Sequence, residues 1–254
     1  MSEDTVQDPA SDFEPVISGT FDNYPAFEAQ WNYLYPWGSD HNGTARMYAG
    51  PGDHDHVYLE NGVLTLKASR VTKDEGSSSE PPYAQIRYRS GAVHAKQRIT
   101  VTSEFPNYEI KGEFQAPALK GAWPAFWLDG SWPPESDILE FKGDAVNWFN
   151  TFRTSDDLDS TPVPVPHPAH WHTYVAWIEK VNDTDVTIDY YLDTKDGKPL
   201  WRARGHGAGY VGKPMSLIIN LQMEGSSGHP GPDGDTYFRA RNVYVGRTRT
   251  RPHA

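Results

Sequence analysis

Over residues 108–116 apolar and polar side chains alternate: Tyr108, Ile110, Phe114 and Ala116 share one face, and Glu109, Lys111, Glu113 and Gln115 share the other. A period of two belongs to a strand with one buried face and does not fit a helix. Similar runs recur at 84–95, 123–128, 137–141, 173–179, 186–192, 216–223 and 242–246, parted by turn residues such as Asp193-Thr194-Lys195-Asp196-Gly197. Residues 57–68 read as two strands folded about Asn61-Gly62, because Asn-Gly supplies the positive φ of a tight hairpin. No amphipathic helix of three turns or more is visible. Many short strands with Gly- and Pro-rich turns and no repeat period predict one all-β domain rather than a propeller or solenoid.

Composition removes several functions. The 254 residues include no cysteine, which excludes disulfide frameworks, Cys-ligated zinc, iron–sulfur clusters and thiol nucleophiles. The 23 Lys+Arg are outnumbered by 34 Asp+Glu, a net charge of −11 that opposes binding to a phosphate backbone. No apolar run approaches the roughly 18 residues of a membrane helix. Neither nucleic acid nor a membrane is therefore an expected partner. The first basic residue is Arg46, whereas Arg239, Arg241, Arg247, Arg249 and Arg251 follow Asp235 with no acid among them. Such asymmetry suits two ends lying side by side, and equally two solvated tails. Residues 1–18 read as a polar lead-in, 19–247 as the folded domain and 248–254 as a basic tail.

Chemistry concentrates in residues 123–143, where Glu135, Asp137 and Glu140 follow Trp123, Trp127 and Trp132. In a regular strand Glu135 and Asp137 share a face but Glu140, five residues from Glu135, points away. A β-bulge between Asp137 and Glu140 would return the third carboxylate to that face. The glutamate Cα atoms would then stand ~13 Å apart at the usual strand rise, within reach of the roughly 5–5.5 Å carboxyl separation of a retaining glycosidase. An acidic triplet alone is a weak signal. Crowding like charges beside aromatic surface gains nothing for solubility, however, and tryptophan rings stack on the apolar faces of sugars.

GAWPAFWL, a Trp-Pro spacer and then E-S-D-I-L-E resembles the active-site block of glycoside hydrolase family 16, in its bulged laminarinase–agarase–carrageenase branch. YEIKGEFQAP before the block agrees in order and spacing, as do WHTYVAWIEK, VTIDYYLD, KPMSLIINLQMEG and NVYVG after it, over roughly residues 20–247. The resemblance implies a β-jelly-roll sandwich of two antiparallel sheets with an open concave cleft, acting as a retaining endo-glycoside hydrolase on a β-linked polysaccharide. It also implies Glu135 as nucleophile, Glu140 as acid/base and Asp137 as the carboxylate between them. In this reading Glu140 keeps its proton beside the charges of Glu135 and Asp137, and hydrogen bonds hold Glu135 ionised. A β-1,3-glucan or mixed β-1,3/1,4-glucan is the first substrate reading, and an algal galactan such as agar, porphyran or carrageenan the alternative. A non-catalytic carbohydrate-binding jelly roll is the third, opposed by the intact triplet. Such an enzyme is expected to be secreted or periplasmic and monomeric, although Met1-Ser2-Glu3-Asp4 does not read as a signal peptide.

Departures from the family pattern sharpen the reading. Ser136 replaces an aliphatic residue on the core side and should weaken packing. Arg241 stands near the carboxylate of the family's structural calcium site, so neither calcium nor any other cofactor is expected. Asn150-Thr151-Phe152-Arg153 stands where many laminarinases carry a histidine. For sugar contacts the candidates are Trp123, Trp132 and Trp148, together with Asn42, Arg89 and Gln222, the last alternating onto one face with Asn220 and Glu224. A core role is the competing reading for each tryptophan. Asp53-His54-Asp55-His56 and the His167, His170 and His172 group read as polar loops rather than metal sites.

Overall fold

The computed structural model describes residues 13–19 and 21–249. In chain order β1 spans Glu14–Ile17, β2 Trp31–Tyr33, β3 Ala45–Met47, β4 Val57–Glu60, β5 Val63–Arg70, β6 Tyr88–Ser90 and β7 Ala92–Ala95. There follow β8 (Asn107–Gln115), β9 (Ala122–Asp129), β10 (Glu135–Glu140), β11 (Val146–Phe152) and β12 (Leu158–Pro164). The last are β13 (His172–Lys180), β14 (Val186–Lys195), β15 (Lys198–Gly207), β16 (Ser216–Met223) and β17 (Thr236–Thr248). A seven-residue helix, α1 (Tyr24–Gln30), starts where the Asn23 side chain accepts from the Ala26 N–H. Asn61 and Gly62, with φ of 51° and 75°, close the hairpin between β4 and β5.

The strands form two facing sheets. One runs β15-β14-β13-β8-β17-β5-β6-β3, with β1 added on β17 and β4 on β5, and the other runs β12-β11-β10-β9-β16-β7-β2. Pairing is antiparallel except between β3 and β6. Neighbours remote in sequence, β8 beside β17 and β9 beside β16, show the chain crossing repeatedly between layers, as in a jelly roll. The core fills the space between them. Phe114 on one sheet packs against Phe126 of the other at 4.8 Å and beside Phe238 at 5.4 Å, all three fully buried.

The first and last described strands meet. Strand β1 pairs with the end of β17, and Arg247 reaches Glu14 at 2.8 Å. The lead-in read over residues 1–18 thus gives way at Glu14 to a paired strand, in which Ile17 is the one deeply buried side chain. Residues 1–12 and 250–254, the rest of the lead-in and most of the basic tail, lie outside the described residues. Among the described residues no helix is long and apolar enough to cross a membrane.

Candidate active site

The site sits on the outer face of the seven-stranded sheet and depends on one irregularity in β10. That strand faces β9 in register from Glu135↔Asp129 to Asp137↔Trp127, then slips, so that Leu139 faces Phe126 and Glu140 faces Ala125. Ile138 is the extra residue. Ile138 and Leu139 both bury completely, and Glu140 returns to the outer face as the spacing predicts. Beyond Asp137↔Asn150 the pairing of β10 with β11 ends. The Asn147 amide takes over the lost ladder: its Oδ1 accepts from the Glu140 backbone N–H at 2.9 Å, and its Nδ2 donates to the Ile138 carbonyl at 3.3 Å. Buried backbone groups left unpaired are costly, so this fully buried asparagine holds the bulge together. Beneath the strand, Ser136 joins a buried cluster instead of weakening the packing. The Tyr190 hydroxyl donates to the Asn150 carbonyl at 2.8 Å and lies 2.7 Å from the hydroxyls of both Ser136 and Thr151.

Registers across β10, β9 and β16 set out the floor in rows. Asp137 lies beside Trp127, Glu140 beside Ala125 and then Asn220, and Trp123 beside Gln222. Ala125, the smallest of these, leaves a hollow next to Glu140. The cavity, about 320 Å³, is lined by these residues with Glu135, Trp132, His41 and Asn42. His41, from the loop before β3, lies nearly parallel to Trp127 at 6.0 Å and leans on Trp37 at 4.9 Å. Burial pushes its pKa down to about 4, so the imidazole is neutral over most of the pH range.

Hydrogen-bond donors are unevenly shared among the carboxylates. Glu140 accepts from the Trp123 indole N–H at 2.8 Å and from Asn150 Nδ2 at 3.0 Å, with the Lys142 ammonium 3.2 Å away. Asp137 accepts from Asn150 Nδ2 at 2.8 Å. Among the described residues no side chain donates to the Glu135 carboxylate. Burial raises the Glu135 carboxyl well above the usual range; the charges of Asp137, Glu140 and Asp129 add to this, and Lys142 opposes it. Burial likewise raises Asp137, with Glu140 adding and Asn150 opposing. The side-chain hydrogen bonds that the sequence reading assigned to Glu135 are found on Glu140 and Asp137 instead. The bulge turns Glu140 toward the donors of β9 and β11 and leaves Glu135 where no donor reaches.

The remaining candidates divide. Trp123, Trp132 and Asn42 line the cavity, with Trp132 on the rim, 44% exposed and 5.0 Å from Phe152. Gln222 lines it too, with its amide accepting from the Ala45 and Met223 backbone N–H groups and donating to the Ala45 carbonyl, which ties β3 to the sheet. Trp148 does not line the cavity and carries the Lys142 ammonium over its ring at 5.3 Å. Arg89 is engaged by Glu75 at 2.6 Å and stacks on Tyr48, away from the cavity, because the loop before β6 folds back onto it. Glu224 leaves the face of Asn220: its backbone, at φ 55°, turns its carboxylate to Arg87 and His229. Arg241 pairs with Glu113 at 2.9 Å and stacks on Trp171. His54 stacks on Tyr24, His56 meets the Lys67 carbonyl and His172 meets Asp193. Sequence reasoning missed His41, Lys142, Asn147 and Asn150 as functional residues. The two asparagines left a trace, buried-strand positions filled by an amide, whereas His41 belongs to a loop with no pattern.

No family model matches the chain. A galactan endo-β-1,3-galactanase from Flammulina velutipes is 46% identical over 230 residues, covering 89% of this chain and 88% of that protein. Among solved structures, an endo-1,3-β-glucanase from Streptomyces sioyaensis superposes with a TM-score of 0.70 at 18% identity, over 97% of this chain and 100% of that one. A non-specific endo-β-1,3(4)-glucanase from glycoside hydrolase family 16 gives 0.66 at 20% identity, over 94% and 92% of the two chains. The structural likenesses speak for the fold, and the galactanase speaks for descent. A relative so similar along nearly the whole chain, on a sandwich that a family 16 enzyme shares, turns the resemblance of the carboxylate strand into kinship: the chain belongs to glycoside hydrolase family 16.

Proposed function

We propose that the protein is a retaining endo-hydrolase of β-1,3-linked galactan. The observation that carries the chemistry is the bulged strand that brings Glu135, Asp137 and Glu140 into one tryptophan-walled cavity. The substrate rests on the 46% identical galactanase, which favours galactan over the glucan reading. A non-catalytic binding role has no use for three crowded carboxylates. Arg87, Arg89 and Arg153, the cations that could have met a sulfated polymer, are each paired with a carboxylate of the protein, which favours an uncharged chain. A polymer too large to enter a cell places the enzyme outside it or in the periplasm. The cavity is built from one chain, so a monomer suffices.

In the reaction Glu135 attacks the anomeric carbon as the bond to the departing sugar breaks, and Glu140 gives its proton to the departing oxygen. Water then attacks the glycosyl-enzyme ester, losing a proton to Glu140 and releasing Glu135 as carboxylate. Glu135 must enter ionised and Glu140 protonated, whereas burial in the free protein favours a proton on Glu135 and Asp137. Asp137, between the two in sequence, is linked to Glu140 through the Asn150 amide.

The test is hydrolysis of β-1,3-galactan beside laminarin, lichenan, agarose, porphyran and κ-carrageenan, with the product anomer followed by NMR at early times. Release from β-1,3-galactan with the β-anomer first is expected. Cleavage of laminarin alone reassigns the substrate to glucan, and the α-anomer first overturns the retaining mechanism.

A further inference from the structure

Asn150 opens the stretch 150–153 in which the sequence departs from the laminarinase pattern, and it is 1% exposed. Both hydrogens of its Nδ2 are used: one goes to Asp137 Oδ2 at 2.8 Å, the other to Glu140 Oε2 at 3.0 Å. Its Oδ1 accepts from the Ser160 hydroxyl at 2.6 Å. An amide has a nitrogen end and an oxygen end of nearly the same shape, and only the nitrogen end attracts carboxylates. Ser160 lies on β12, facing Asn150 in register. It supplies the donor that the oxygen end needs, which makes the reverse orientation unfavourable.

We propose that Ser160 and Asn150 form a non-titrating relay that fixes the central carboxylate and the acid/base at one separation and sets how they share a proton. Asn150 is a positioning residue, and Ser160 acts through it. Histidine in this position would add a fourth titrating group beside the three carboxylates, whereas an amide stays neutral at every working pH. The proton count of the site is then decided by Glu135, Asp137 and Glu140, with His41 on the cavity wall neutral above about pH 4. The groups around them are Lys142, following β10, Asp129 at the end of β9, the phenol of Tyr190 beneath the sheet and the phenol of Tyr210, which donates to the Glu135 backbone carbonyl. None of these is altered by a change at Ser160. A donor aimed at a carboxylate favours its ionised form, so weakening the relay raises the proton affinity of Asp137 and Glu140.

This inference rests on the glycosidase reading, and the experiment separates the two. Ser160 is exposed on an edge strand, so Ser160→Ala should fold. It is expected to lower kcat on the order of fivefold to tenfold, the effect of about one hydrogen bond, with KM little changed. Both limbs of the kcat pH profile should move to higher pH. Ser160→Thr, which keeps the hydroxyl, should recover most of the loss. Asn150→Asp, nearly isosteric but without donors, should lose on the order of a hundredfold and move the profile further in the same direction. In parallel, carboxyl-carbon NMR titration of the free protein should show Asp137 and Glu140 holding their protons to higher pH in Ser160→Ala, a readout that needs no substrate. Unchanged carboxyl titration in Ser160→Ala, or a Ser160→Thr that behaves like Ser160→Ala, overturns the relay. A wild-type protein that cuts no β-linked polysaccharide while the carboxyl shifts appear as expected overturns the glycosidase reading and leaves the relay standing.

Discussion

Glu135 is held where its charge is disfavoured, which gives a stability prediction with a definite sign. Its folded pKa lies above that of the unfolded chain, so the folded state binds the proton more tightly. Stability is then fully present below the unfolded value of about 4.3 and falls as pH rises toward the folded one. Glu135→Gln should therefore melt higher than wild type at pH 7, by a few degrees at ~2–4 °C per kcal/mol, and gain little at pH 4. A gain of equal size at both pH values would contradict the electrostatic cause. His41 carries a second expectation at this scale. It is a neutral ring on the cavity wall, able both to donate and to accept a hydrogen bond, so His41→Ala should raise KM on the order of tenfold while kcat changes far less. Steady-state kinetics on the cleaved polymer decides it; a loss confined to kcat would assign His41 to the chemical step. The carboxylates were legible from the sequence because their spacing requires a bulge. His41 was not, since a loop carries no period from which its direction can be read.

Among the elements, β10 and its support from β11 matter most. Asn147 satisfies two backbone groups that the bulge frees, so Asn147→Leu should cost roughly 1–3 kcal/mol for each group left unpaired and should also displace Glu140. Denaturant unfolding together with kcat measures both effects; stability lost with kcat retained would mean that Glu140 does not depend on the bulge. The strands flanking the site, β9, β10 and β16, were readable because each alternates core and cleft residues. Strands β12 and β15 were not, and the reason is physical. Both lie at sheet edges, where the buried face is shallow and the exposed backbone is guarded by proline or charge: Pro162 and Pro164 in β12, Lys198, Arg202 and Arg204 in β15. The features that protect an edge are those that a pattern search takes for a loop.

For the whole molecule the pairing of β1 with β17 has a measurable role. Strand β1 covers the edge of β17 beyond the reach of β5 and buries Ile17 against the core. A chain shortened to begin at Gly19 should lose on the order of 2–5 kcal/mol, the cost of emptying one large aliphatic site, and should associate through the bared edge. Calorimetry and light scattering would register both; an unchanged melting temperature would mean that β1 merely decorates the sheet. The sandwich also divides authority within single strands. Along β9 and β16 every second residue answers to the core, Phe126 and Leu128 or Ile219 and Leu221, while those between answer to the substrate. Substrate preference can accordingly drift over generations through substitutions on one parity while the other keeps the fold intact. The extra residue at Ile138 is the one point where that parity changes hands within β10. Lineages descending from this protein should accept many replacements across the cleft floor, yet a single codon gained between the two glutamates would hand the acid/base to the core and extinguish activity in one step.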